Sequence, residues 1–328
     1  MFEYVRATDI GQAVAAVSTD PGAAYLAGGT TQLDLMLKDR VISPSRLVDV
    51  TRLPLRGVSL GDGVIHVGAL TTMEELAADP AVVEHLPLVR QALLAGASTQ
   101  LRNMATIGGN LLQRTRCRYF RDSTVASCNK RQRGSGCAAI SGVARMHAIL
   151  GASEHCIALH ASDLCVPLVA LDAVVHTQGP SGQRSISLTD LYRTPGDTPD
   201  VEHALEHGEL ITAIEVPLLP AGARSGYLKV RDRASYEFAL ASAAVALVIH
   251  DGIIQEARVA LGGVGTVPWR ARGAEEVLRG SRAQTEIFRA AGRAALEGAW
   301  TVAGTAFKVE LGARTVTRAL ETVAAVAS

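Results

Sequence analysis

Aromatic side chains are scarce in this chain, at 4% of 328 residues. The core must therefore be built from Ala, Val, Leu and Ile, within a hydrophobic fraction of 48%. Net charge is also missing. Thirty-two Lys and Arg balance thirty-two Asp and Glu, and the pI is 7.1. That balance excludes the broad basic face of a general nucleic-acid binder. No apolar run reaches the length of a membrane span, roughly 18 residues; the longest, 238–249, has twelve. Met1-Phe2-Glu3-Tyr4 lacks the charged start and apolar stretch of an export signal. The sequence holds no Cys-x-x-Cys pair, no His-Glu-x-x-His helix and no Gly-x-Gly-x-x-Gly fingerprint. Nor does a Ser/His/Asp set or an isolated pair of carboxylates stand out. The chain advertises no acid–base or nucleophilic centre of its own.

What is present suggests two or three packed domains. Residues 1–55 read as a small α/β unit. A helix is expected at Ile10–Val17 with Asp9 as its cap, with strands at Ala23–Ala27 and Arg46–Val50 and helical periodicity over Gln32–Lys38. A second unit, 56–220, opens with a hairpin turning at Gly61-Asp62-Gly63. It continues with helices at Thr72–Ala78 and Ala81–Ala97, and later with strands Ala173–Gln178 and Leu210–Pro217. The glycine-containing run 220–226 reads as a linker. Beyond it, strands are expected at Tyr227–Arg233, Phe238–His250 and Ile253–Leu261. Helices near Ala271–Leu278, Gln284–Trp300 and Lys308–Val326 follow, a compact α+β final domain over 226–328.

Two glycine pairs carry the first chemical signal. Ala27-Gly28-Gly29-Thr30-Thr31-Gln32-Leu33-Asp34 lies between a strand and a helix. Paired glycines let backbone approach a ligand, amides at a helix start can face phosphate oxygens, and Thr30 and Thr31 add hydroxyl donors. Thr106-Ile107-Gly108-Gly109-Asn110 repeats the pattern. Each alone also reads as a tight turn; together they resemble two walls of a diphosphate site. Asp163 could accept a bond from a ribityl or ribose hydroxyl, or simply cap a helix. Lys229 alternates with apolar neighbours and faces either a cleft or solvent.

The cysteines carry the second signal. All five, Cys117, Cys128, Cys137, Cys156 and Cys165, fall within 117–165. Their spacing suits neither a zinc finger nor a compact ferredoxin run. Four thiolates on long loops would hold a cubane iron–sulfur cluster; a zinc site and inert buried thiols remain open on the residues alone. Arg114, Arg116, Arg118, Arg121, Lys130, Arg131 and Arg133 surround them with Asp122 as the single local acid. Such a field would offset a cluster anion and raise its potential. Cys165 sits in apolar sequence and reads as core, which leaves Cys117, Cys128, Cys137 and Cys156 as ligands. His147 and His155 are weaker ligand candidates.

In order along the chain stand Ala27-Gly-Gly-Thr-Thr-Gln-Leu-Asp-Leu-Met36, Gly68-Ala-Leu-Thr-Thr72, Thr106-Ile-Gly-Gly-Asn110, Ser162-Asp163-Leu164, Gly208-Glu-Leu-Ile-Thr-Ala-Ile-Glu-Val-Pro217 and Ala260-Leu-Gly-Gly-Val264. Over about Phe2 to Val326 this resembles the FAD-binding medium subunits of the xanthine dehydrogenase and carbon monoxide dehydrogenase family of molybdenum hydroxylases. The stretch Asn110-Leu-Leu-Gln-Arg-Thr-Arg-Cys117-Arg-Tyr-Phe, with Cys128-Asn-Lys-Arg, Gly134-Ser-Gly-Cys137-Ala-Ala and Met146-His-Ala, is similar to a narrower branch. That branch is the FAD subunit of periplasmic-type aldehyde oxidoreductases with an extra [4Fe–4S] cluster. Arg231-Asp-Arg-Ala-Ser-Tyr236 favours it over the similar subunit of 4-hydroxybenzoyl-CoA reductases.

The resemblance implies an α+β chain: a two-part, PCMH-type FAD-binding domain and a C-terminal domain of antiparallel sheet and helices, with a [4Fe–4S] insert at about 112–160. It implies FAD contacts from Ala27, Gly28, Gly29, Thr30, Thr31, Gln32, Leu33 and Asp34, from Thr106, Gly108, Gly109 and Asn110, and from Asp163, Ile211 and Lys229. It also implies a large molybdenum-cofactor subunit that oxidises an aldehyde, and a small subunit whose [2Fe–2S] clusters feed the flavin. No NAD site is evident, so a non-nicotinamide acceptor is expected. Xanthine dehydrogenase-like subunits, a stand-alone flavin oxidase and a zinc-stabilised interaction module are the alternatives. With no export signal of its own, the chain is expected in the cytoplasm, or in the periplasm by co-export with a signal-bearing partner.

Overall fold

Three sheets organise the chain in a computed structural model, which describes residues 2–325. The first is parallel, in the order Glu3–Arg6, Arg46–Asp49, Ala23–Leu26. The helix Ile10–Ser18 packs on it, its first turn capped by the Asp9 carboxylate accepting from the Gln12 amide at 2.8 Å. Gln32–Lys38 was expected to be helical, and its last five residues form a wide π-helical turn, Asp34–Lys38.

The second sheet is antiparallel, with strands Val58–Gly61, Val64–Gly68, Leu210–Pro217, Val174–Gly179 and Gly182–Ser187 side by side. Leu210–Pro217 returns from far along the chain to its centre. The single helix expected over Ala81–Ala97 is instead two, Pro80–His85 and Pro87–Ala95. Pro87 lacks the amide the helix needs, and its ring drives Leu86 out of helical geometry, to φ −126° and ψ 55°.

The third sheet is antiparallel: Trp269–Arg270, Ile253–Gly262, Ala241–His250, Arg224–Val230. Its outer strand begins inside the expected linker. Ala241–His250 is buried on both faces, which explains its unbroken apolar run. Ala241, Ala243, Val245 and Leu247 belong to the core under the helix Phe307–Ala325, while Ala244 joins the core of the second sheet. One sheet therefore seals two cores and fixes the C-terminal domain against the middle of the chain. The helix expected to reach Trp300 ends at Ala294, and the expected end of the last helix, Val326, lies outside the described residues.

Candidate functional site

The strand Ala23–Leu26 delivers the chain into Gly28-Gly29. A β-carbon on Gly28 would lie 1.9 Å from the Met104 carbonyl oxygen, so only glycine lets this loop touch the segment leading to Thr106. Gly29 stands at φ +71°, a left-handed conformation that glycine enters without penalty. Among the described residues the backbone amides of Gly28, Gly29, Thr30 and Thr31 find no acceptor in the protein. The next amides, at Leu33 and Leu35, turn back onto the carbonyls of Gly29 and Thr31. Four successive free donors in a concave turn suit an anion.

The second glycine pair is tied into the backbone around it. Thr106 caps a five-residue helix, Ile107–Leu111, by accepting from the Gly109 amide at 3.3 Å. The amides of Ile107, Gly108 and Asn110 bond to the carbonyls of Thr71, Ala69 and Thr106. Among the described residues of this loop only the Thr106 amide is left without a protein acceptor; the amides of Ile107 and Gly108 tie the loop to the segment Ala69–Thr71 that follows the second strand of the second sheet. Asn110 turns inward, its Oδ1 accepting from the Ser162 hydroxyl at 2.6 Å.

Asp163 and Lys229, drawn from different domains, meet. The Lys229 ammonium donates to the Asp163 carboxylate at 2.7 Å and to the Ala95 carbonyl at 3.1 Å. Their side chains are only 4% and 10% exposed, so Lys229 occupies a cleft rather than a solvated strand face. Tyr227 donates to the same carboxylate at 2.6 Å, and burial together with that charge pushes its phenol well above the ordinary tyrosine range. The capping role considered for Asp163 falls to Ser162, whose hydroxyl accepts from the Cys165 amide. Asp163 lines a small cavity with His160, Ser162, Phe238 and Ser242. Two buried polar atoms there, Ser242 Oγ and His160 Nε2, have no partner, a deficit a ligand would relieve. Burial drives the His160 imidazole down to about 4, so it is neutral at physiological pH. Ile211 is 4% exposed, packs in the core of the second sheet and does not line this cavity.

Four cysteines converge on a second cavity, lined by Cys117, Cys128, Cys137 and Cys156 with Phe120, Asn129 and Lys130 among its walls. The loop carrying Cys128 bridges the one carrying Cys137. Asn129 fastens both to the third, accepting from the Gly136 amide and donating to the His155 carbonyl, each at 2.9 Å. Every cysteine is a free thiol. Burial pushes Cys117 up to about 11 and Cys156 up to about 12. The Ala158 backbone amide donates to the Cys156 sulfur at 3.4 Å. His147 Nε2 stands 3.2 Å from the Cys117 sulfur. Among the described residues no three His, Cys, Asp or Glu side chains are gathered tightly enough for a single metal ion. Cys165 is fully buried in core helix Cys165–Ala170, against the Tyr192 hydroxyl at 3.0 Å, as its apolar context indicated.

The cationic field expected around the thiols is largely neutralised by acids the sequence places elsewhere. Arg114 and Lys130 both bind Glu202, at 2.9 and 2.6 Å; Arg133 binds Asp200 and Arg121 binds Asp39. Arg131 donates to the carbonyls of Tyr119, Phe120 and Val125 and so serves as an internal peg. Lys130 still acts electrostatically on one thiol, drawing Cys156 down against the larger effect of its burial. Sequence reasoning missed Glu202, Asn129, His160 and Ser242. Asn129 stands inside the quoted Cys128-Asn-Lys-Arg stretch without an assigned role; His160 and Ser242 lie in segments without a motif and only the fold brings them to a cavity, while Glu202 reaches the insert through its ion pairs with Arg114 and Lys130.

A family model described as the FAD binding domain in molybdopterin dehydrogenase matches residues 1–219, and one described as the CO dehydrogenase flavoprotein C-terminal domain matches 226–323. The chain is 47% identical to the aldehyde oxidoreductase FAD-binding subunit of Escherichia coli (strain K12), covering 97% of each. It is 30% identical to the glyceraldehyde dehydrogenase medium chain of Sulfolobus acidocaldarius, covering 88% of this chain and 84% of that one. Among solved structures, a chain of carbon monoxide dehydrogenase from Hydrogenophaga pseudoflava superposes with a TM-score of 0.78 at 26% identity, over 100% of this chain and 98% of that chain. Two glycine-walled domains, the sealing third sheet and these likenesses agree: this chain belongs to the FAD-binding medium subunits of the molybdenum hydroxylase family.

Proposed function

We propose that the chain is the electron-transfer subunit of a heteromeric aldehyde oxidoreductase, holding FAD and a [4Fe–4S] cluster. The observation that carries the cluster is four thiols from four loops around one cavity, with the Ala158 amide directed at the Cys156 sulfur. A tetrahedral zinc ion would draw its sulfurs to ~3.8 Å of one another, whereas a cubane keeps its ligands outside a core of iron and sulfide. A cavity among spread thiols suits the second. The FAD reading rests on the free amides at Gly28–Thr31 for the diphosphate and on the unpartnered Ser242 and His160 beside Asp163 for a hydroxylated portion. Thr106–Asn110 and the backbone at Ile211 would form the walls, and Lys229 would fix the Asp163 carboxylate.

Bound FAD would supply exchange between one-electron and two-electron carriers. The residues present would bind and orient it, seal the C-terminal sheet against the cavity, and fix the Asp163 side chain against Lys229. The aldehyde is taken from the name of the Escherichia coli relative. The proposal includes a large molybdenum-cofactor partner, a small [2Fe–2S] partner and a non-nicotinamide acceptor. It also includes assembly in the cytoplasm, with export of the complex where a partner carries a signal. No helix among the described residues is long and apolar enough to cross a membrane.

Anaerobically purified protein should show flavin bands over a broad visible absorption that dithionite bleaches, with about four irons per chain. One zinc and no iron would overturn the cluster, and absence of extractable flavin would overturn the FAD reading.

A further inference from the structure

Arg116 immediately precedes the first cluster-type cysteine, yet its side chain leaves the insert. Its Nη2 donates to the Thr31 hydroxyl at 3.1 Å, and its Nη1 stands 4.0 Å from the Asp34 carboxylate. Its guanidinium lies 5.4 Å from the centroid of the Phe238 ring, a cation–π contact with the entry to the third sheet. Its buried Nε has no partner. Three parts of the molecule meet on one side chain: the loop with free amides, the insert and the C-terminal domain. Arg121 supports the same junction, binding Asp39 at 2.6 Å and approaching Asp34 at 3.9 Å.

An arginine fork can satisfy several acceptors at once and stay charged while partly buried, which a lysine cannot match. Placed against Thr31, it steadies the glycine loop and adds positive charge beside its free amides. Resting on the FAD reading above, we propose that Arg116 is a flavin-positioning residue that couples the cysteine insert to the diphosphate loop. Order in the insert then strengthens flavin binding, and bound flavin orders the insert by the same factor, because such coupling is reciprocal.

The test uses the full chain, stripped of flavin and titrated with FAD by fluorescence quenching. Arg116→Gln is expected to weaken FAD binding about tenfold or more while the melting temperature without FAD stays that of the wild type. Thr31→Val should weaken it less. In a double-mutant cycle the two losses should not add; fully additive losses would overturn the coupling. Arg116→Lys should recover part of the affinity, and a lysine variant as weak as the glutamine one would overturn the role of charge. FAD should slow proteolysis within 113–137 in the wild type and not in Arg116→Gln. Unchanged FAD affinity in Arg116→Gln overturns this inference alone, whereas a wild type that binds no FAD overturns the reading of the site as well.

Discussion

Twenty-two buried apolar side chains form the core between the C-terminal sheet and its helices, while the two apolar clusters beneath the cysteine loops hold three buried residues each. The two regions are neighbours in space: Ile149 and Leu150, late in the insert, already belong to the large core. Yet they stand by different means. The sheet needs nothing beyond its own side chains, since Ala, Val and Leu at period two fill both of its faces. The insert is tied by polar fastenings, Arg131 to three carbonyls, Asn129 across two loops, Glu202 to two cations, and its centre is a cavity ringed by thiols. On the proposed reading, a cluster held by these thiols supplies part of the insert's folding energy.

The sharpest way to break this contrast is Cys128→Ser. Iron should fall from about four per chain to near zero, the broad absorption should vanish, and proteolysis should cut 113–137. The C-terminal sheet should keep its circular dichroism. Loss of both regions together would mean that the insert is not a separate stability unit.

Next in size is the seam. Asp163, just past the insert, pairs with Lys229 on the C-terminal sheet, and both are buried. Asp163→Asn leaves a buried ammonium without its counter-charge, which costs roughly 3–5 kcal/mol. Chemical denaturation should show this loss, and FAD content should fall with it. A change below ~1 kcal/mol would place water beside Lys229 and weaken the case for a sealed cleft. Leu320→Ala tests the other side. Leu320 is fully buried under the sheet, and its truncation should cost about 2–5 kcal/mol with iron content per folded chain unchanged.

Much of this contrast was legible in the sequence, unevenly. The strands Leu210–Pro217 and Ile253–Gly262 and the capped helix after Asp9 followed from periodicity and capping chemistry, which act over a few residues. The four cysteines were legible as a set because polar loop sequence rarely spends thiols, and Cys165 was legible as core because its neighbours are apolar. The pairing of Asp163 with Lys229 was not, since the two residues are 66 positions apart and each alone has an ordinary explanation. The charge around the insert was misjudged for the same reason. Counting residues near Cys117 finds arginines and one acid; folding brings in Asp39, Asp200 and Glu202. The bonds that tie the second glycine pair to Thr71 and Ala69 were not legible, because they depend on a strand-to-helix packing that no local pattern displays.

The smallest expected effect sharpens the contrast through pH. Burial would raise the Glu202 carboxyl, but the nearby charges and hydrogen bonds of Arg114 and Lys130 outweigh it and hold the group below the ordinary glutamate range. A depressed carboxyl stabilises the fold fully above its unfolded value, about 4.3, and loses that contribution as pH falls through the lower folded value. The C-terminal core has no such dependence on Glu202. Lowering the pH below about 4 should therefore loosen the insert before the sheet, seen as proteolysis at 113–137 while the far-ultraviolet signal persists. Glu202→Gln should produce the same loosening at neutral pH, at a cost of ~2 kcal/mol because Arg114 and Lys130 keep some access to solvent. Between pH 7 and 5 the wild type should not change, and the glutamine variant should lack the acid-dependent step. An insert equally resistant in both proteins at every pH would show that Glu202 is not one of its fastenings.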